Sequence, residues 1–200
     1  MRTVDPARHE AKRAHILGAA EFCFSRKGFE RTTTADICAR AGISSGSLFH
    51  YFPSKRAVFV AIFEQDGELI AGHVARAAEA EDPVAGLLEL VEAQVRPLED
   101  PGAAGLVTEV IAQAGRDEEL AVVLARNDAA LRGGIAGLLR RAAGLRRIDR
   151  GLDPDRTAGW VVALVDAVFT RAATDRDLVL AEELAMLRLI LTRFLLVERP

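Results

Sequence analysis

The chain has 200 residues, half of them hydrophobic and 28% charged, with a net charge of −3 and two cysteines. That composition supplies a core for one helical subunit of one or two domains and excludes a disordered chain or a disulfide-stapled one. The opening MRTVDPARHEAKRAH is too polar for a secretory signal, and Arg188 and Arg193 interrupt the richest apolar run, so the expectation is a cytoplasmic protein with no membrane span.

The first helix is expected over residues 8–27. Ile16, Ala20, Cys23 and Phe24 fall at offsets of four, seven and eight, an apolar stripe that needs a partner surface, and Gly28 closes the helix. Phe22 lies off the stripe. A second, short helix follows in the stretch 32–55, TTTADICARAGISSGSLFHYFPSK. Thr33 or Thr34 caps it, Asp36 sits in its first turn where the helix dipole favours an acid, and Ile37 and Ala41 share its inward face. Gly42 stops it with a left-handed backbone. Ser44 or Ser45 caps a third helix, residues 46–52, with Leu48 and Phe52 inward and Ser45, Gly46, Ser47, Phe49 and His50 outward; Pro53 ends it.

A long helix is expected over residues 55–80, leaving the N-terminal head through Val58, Ile62 and Phe63 and continuing as Leu69, Ile70 and Val74. Lys55 and Arg56 stand at its N-terminal end, where cations oppose the dipole, which suggests a use for them. Five further helices are punctuated by Asp82-Pro83, Pro101-Gly102, Asp117, Asp153-Pro154 and a start near Asp177, and no run alternates with period two. The expectation is therefore all-α, with about nine helices. A three-helix head over 1–54 precedes a helical ligand-binding and dimerisation domain over 55–200. The missing strands exclude a winged helix-turn-helix and a sugar-binding α/β domain.

Two helices joined by a glycine turn, the second with a polar outward face, describe a helix-turn-helix, whose second helix enters the DNA major groove. An ordinary helical hairpin has the same outline, and charge separates the two. Residues 1–56 hold ten Lys and Arg (Arg2, Arg8, Lys12, Arg13, Arg26, Lys27, Arg31, Arg40, Lys55, Arg56) against five acids, a balance of +5; the whole chain is −3, so the remainder carries −8. The basic excess coincides with the reading head.

Residues 16–59, ILGAAEFCFSRKGFERTTTADICARAGISSGSLFHYFPSKRAVF, resemble the DNA-binding domain of the tetracycline-repressor (TetR) family. The matching positions are the Ala-Ala and Phe24 of the first helix, Gly28 with its following aromatic, the Thr cluster, Ile37, the Ala-Gly-Ile-Ser turn, Gly46, Leu48, Tyr51-Phe52 and Lys55. Cys23 and Cys38 depart from the usual Leu and Ala, and Phe49 from the usual Tyr. The resemblance implies a DNA-binding regulator, most often a repressor, that reads a palindromic double-stranded operator as a homodimer, and it implies a phosphate contact for Lys55. Ser45, Gly46 and Phe49 are the candidates for base edges, with Phe49 against a thymine methyl. Thr33, Thr34, Ser44, Ser47, His50, Tyr51 and Lys55 are the candidates for phosphates.

The last two helices are apolar around most of their circumference. Trp160, Leu164 and Val168 on one, with Leu187, Ile190, Leu191 and Phe194 on the other, are expected to bury against a second subunit in a four-helix bundle. Polar residues inside otherwise apolar runs, Glu109, Gln113, Asn127 and Asp166, are candidates for a small-molecule pocket. The stretch TEVIAQAGRDEELA resembles the ligand domain of the BetI-like branch, which implies an effector without identifying it.

No enzyme is expected. Glu118-Glu119 and Glu182-Glu183 read as solvated helix starts, and Ser44, Ser45 and Ser47 beside His50 lack an orienting acid. The histidines and cysteines show no metal spacing, so neither metal nor cofactor is expected. Cys23 and Cys38 read as buried, inert thiols. The rival from another class is a helical small-molecule-binding dimeric scaffold that does not read DNA.

Overall fold

The computed structural model describes residues 5–100 and 102–195. Arg2, counted in the basic head, and Pro101, taken as a helix punctuation, lie outside the described residues. Among the described residues there are nine α-helices and no strand: α1 (Pro6–Lys27), α2 (Thr34–Ala41), α3 (Ser45–Tyr51), α4 (Lys55–Glu79), α5 (Pro83–Val95), α6 (Ala103–Ala114), α7 (Glu118–Gly144), α8 (Pro154–Thr174) and α9 (Leu180–Leu195). A 3-10 turn, Arg96–Glu99, extends α5.

The helix starts follow their caps. Thr33 forms a capping box with Asp36, and Ser44, Ser54, Asp82, Asp117 and Asp153 each accept from a backbone N–H in the first turn that follows. Gly42 takes φ 60°, ψ 41°, the left-handed conformation expected at the turn between α2 and α3.

Two apolar clusters organise the packing. One joins α1, α2 and α3 to the first turns of α4: Ile16, Ala20, Cys23 and Phe24 meet Ile37, Leu48, Phe52 and residues 58–63, and Leu106, Val110, Leu120 and Val123 from α6 and α7 belong to it too. The head therefore shares its core with the body. Phe24, Phe29, Phe59 and Phe63 form a chain of ring contacts with centroids 4.9–5.6 Å apart. Cys23 and Cys38 are buried free thiols, and burial raises the Cys23 pKa.

The second cluster holds α5, α7, α8 and α9 around Leu87, Val95, Ile135, Leu139, Val161 and Leu191. Val168, Leu187 and Leu191 point into it, which corrects their assignment to a surface between subunits. The reason is geometric: a helix apolar on two sides gives one side to its own core. Trp160 (62% exposed), Ile190 (41%) and Phe194 (45%) are left on the other side, with Leu164 half-buried between the two. Leu69, named with Ile70 and Val74 as the apolar continuation of α4, is exposed.

No helix among the described residues is long and apolar enough to cross a membrane.

Candidate nucleic-acid interface

The recognition helix is short and fixed from behind. Leu48 and Phe52 are buried, Ser44 accepts the Ser47 N–H at 3.2 Å, and Phe52 donates its N–H back to the Leu48 carbonyl. Outward stand Ser45, Gly46, Phe49 (51% exposed) and His50, with Ser47 half-buried. Phe49 thus stands half in solvent at the centre of a seven-residue helix. Tyr51 is half-buried, its ring 4.6 Å from His9 of α1 and 5.4 Å from His50.

The start of α2 is rigid. The Thr33 hydroxyl donates to Asp36 Oδ2 at 2.9 Å and accepts the Asp36 N–H at 3.1 Å, and the Thr33 N–H donates to the same carboxylate. Lys27 donates to Asp36 at 2.6 Å. The Lys27 ammonium and the Thr33 donors hold the Asp36 carboxyl down to about 2. Thr34 is half-buried in the first turn of α2. His15 donates from Nε2 to the Ala41 carbonyl at 3.0 Å and closes the far end of the same helix.

The charge of the head is more committed than its count suggests. Lys55 Nζ donates to the Phe29 and Glu30 carbonyls at 2.7 and 3.3 Å and lies over the Phe29 ring, so it ties the start of α4 to the loop before α2. Arg13 sits over Phe52 and beside Glu10 and Glu64. Arg31 donates to the Lys27 carbonyl. Arg26 and Arg40 both lie over the Phe22 ring, Arg40 at 3.9 Å from its centroid, which supplies the partner that Phe22 lacked in the sequence. Arg56 reaches Asp117 and Glu119 of the body, so its place at the α4 N-terminus has a structural use, and Glu119, a solvated acid of the α7 first turn as expected, is also an ion-pair partner. Glu183 likewise pairs with Arg171.

The four polar candidates for a small-molecule pocket do not meet. Gln113 donates to Glu109 within α6 at 3.3 Å, and the Glu109 carboxylate presses on Gly28 at the end of α1, so this pair lies between body and head. Asn127 is buried and donates to the Phe63 carbonyl at 2.7 Å, which joins α7 to α4. Asp166 is exposed on α8, with its pKa raised by partial burial and by Asp128. Of the four, Asn127 is taken up by a neighbouring helix, Glu109 and Gln113 by each other, and Asp166 faces solvent.

Comparison with known proteins follows this geometry. The profile of the bacterial regulatory proteins of the tetR family matches residues 16–62, and that of the BetI-type transcriptional repressor C-terminal domain matches residues 83–196. The chain belongs to the tetR family. Among curated tetR-like relatives, the HTH-type transcriptional regulator UidR of Escherichia coli is 33% identical over 117 residues, 56% of this chain and 56% of that protein. The HTH-type transcriptional regulator TtgR of Pseudomonas putida is 40% identical over 72 residues, 36% of this chain and 34% of that one. The chain thus spans about half the length of these curated relatives, or less. Salmonella enterica GusR superposes with a TM-score of 0.73 at 28% identity, covering 98% of this chain and 99% of that one.

Proposed function

We propose that this tetR-family chain is a ligand-responsive transcriptional repressor that binds a two-fold double-stranded DNA operator as a homodimer in the cytoplasm. The observation that carries the reading is the exposed face of α3, where Phe49 and the unburied Ser45, Gly46 and His50 stand together on a helix held rigid from behind. Ser45, Gly46 and Phe49 face base edges, Phe49 against a thymine methyl. Thr33, Thr34, Ser44, Ser47, His50 and Tyr51 hold phosphates, and Lys55, an ammonium with three protons, keeps one free of its two carbonyl partners for the same role.

Trp160, Ile190 and Phe194 form the apolar face that a second copy covers, with Leu164 at its edge. Two heads held by one such interface fit half-sites about 34 Å apart, one turn of DNA. An effector bound in the BetI-type body favours a different spacing of the heads and releases the operator.

The test is selection from a random duplex library at two salt concentrations, followed by sequencing. A two-fold enriched site with affinity falling as salt rises supports the reading, because phosphate contacts release counterions. Salt-dependent binding without an enriched sequence leaves a general phosphate affinity only. No binding transfers the chain to the ligand-carrier class.

A further inference from the structure

We infer that Arg56 is a positioning residue for operator binding, and that its clasp on Asp117 and Glu119 holds the recognition helix in the orientation a two-half-site operator requires. The inference rests on the operator reading above. Arg56 Nε and a terminal nitrogen donate to the two oxygens of Asp117, each at 2.6 Å, and the other terminal nitrogen reaches Glu119 at 2.8 Å. This fork-to-fork arrangement fixes angle as well as distance.

Its ends are placed where an angle matters. On one side, Arg56 is in the first turn of α4, whose start is separated from the end of α3 only by Phe52, Pro53 and Ser54. Those three residues have little freedom: Phe52 is buried, Pro53 has a fixed φ, and Ser54 caps α4 by accepting the Ala57 N–H at 3.0 Å. The neighbouring Lys55 ties the same turn to the loop before α2. Whatever orients the first turn of α4 therefore orients both helices of the reading head.

On the other side, Asp117 is the cap of α7, its Oδ1 also accepting the Leu120 N–H at 3.1 Å, so the clasp ends on a stiff helix terminus of the body. The next polar tie between α4 and α7 is Asn127 to Phe63, seven residues further along α4, or about 10 Å at 1.5 Å per residue. Between them, Val58, Phe59 and Ile62 share one apolar cluster with Leu120 and Val123, and apolar burial is non-directional. An exposed ion pair contributes little to stability. Its consequence here is geometric, and it shows in binding rather than in melting.

The experiment compares two duplexes: the selected two-fold site, and the same duplex with one half replaced by unrelated sequence. A single head on the half-site is indifferent to spacing, whereas the full site links two binding events and depends on it. Arg56→Gln is expected to weaken full-site binding by about tenfold, with half-site affinity, salt slope and dimerisation unchanged. Asp117→Asn keeps the helix cap, since Asn caps as well as Asp. It is expected to give the same selective loss, and the double variant to be no worse than either single one. Equal losses on both duplexes would overturn the inference and make Arg56 a local contact of the head. An unchanged or tighter full-site affinity, or additive effects in the double variant, would overturn it as well. A wild-type protein that fails to prefer the full site refutes the operator reading and the clasp with it.

Discussion

Asp66, on α4, is mostly buried at the junction with α1, where burial first and the nearby Glu21 second push its carboxyl up to about 7. Glu21 is raised in turn, by burial and then by Asp100. An acid raised from 3.8 to about 7 on folding costs nothing below pH 4, destabilises progressively as pH rises through 7, and stays at full cost above. Urea unfolding at pH 5 and pH 8 checks this. The wild-type chain is expected to lose stability relative to Asp66→Asn over that interval, by up to about 3 kcal/mol, the part of the shift that lies above pH 5. Lys55 carries a second prediction at this scale. Replacing it with Met removes the proposed phosphate contact and the tie to the Phe29 and Glu30 carbonyls, so operator affinity is expected to fall and the slope against log salt to decrease in size by about one. Titration at four salt concentrations reads both.

At the scale of elements, the contact of α6 with α1 is set by close approach. A Cβ at Gly105 would stand 2.7 Å from the Ser25 carbonyl oxygen, and one at Gly102 would stand 2.8 Å from the Ser25 hydroxyl. The hydroxyl can rotate away and the carbonyl cannot. Gly105→Ala therefore forces α6 off α1, with an expected loss of about 1–3 kcal/mol, and Gly102→Ala costs less; thermal melts of the two variants rank them. The same logic explains why α4 and α7 lie close. Asn127 sits where a Cβ at Gly67 would stand, and Val74 fills the space beside Gly134. Glycine at these crossings makes room for a neighbour.

At the scale of the whole molecule, the apolar face of α8 and α9 is the surface proposed for assembly. Met186, Leu189, Ile190 and Phe194 recur at offsets of three, four and eight on the side of α9 that turns from its own core, and Trp160 is the largest exposed side chain of α8. Phe194→Arg places a charge in that face without touching the core. It is expected to give a folded monomer by sedimentation velocity with unchanged helical content, and to abolish the preference for a two-half-site duplex. A dimer that survives this change assigns the interface elsewhere.

The sequence by itself determined what is local. Caps at Thr33, Ser44, Asp82, Asp117 and Asp153 and the turn glycine Gly42 fix where helices begin and end, because each acts on backbone groups a few residues away. The inward stripes of α1 and α3 were legible because one face of a short amphipathic helix has a single use. What only the tertiary structure decided is every role that depends on a distant neighbour. Val168, Leu187 and Leu191 are as apolar as Ile190 and Phe194, and nothing but packing separates core from outer face. Glu109 and Asn127 read as ligand contacts until α1 and α4 took them, and the use that the dipole argument suggested for Arg56 had no partner until α7 placed two carboxylates beside it. Periodicity says which residues share a side of a helix, and only the fold says what lies opposite that side.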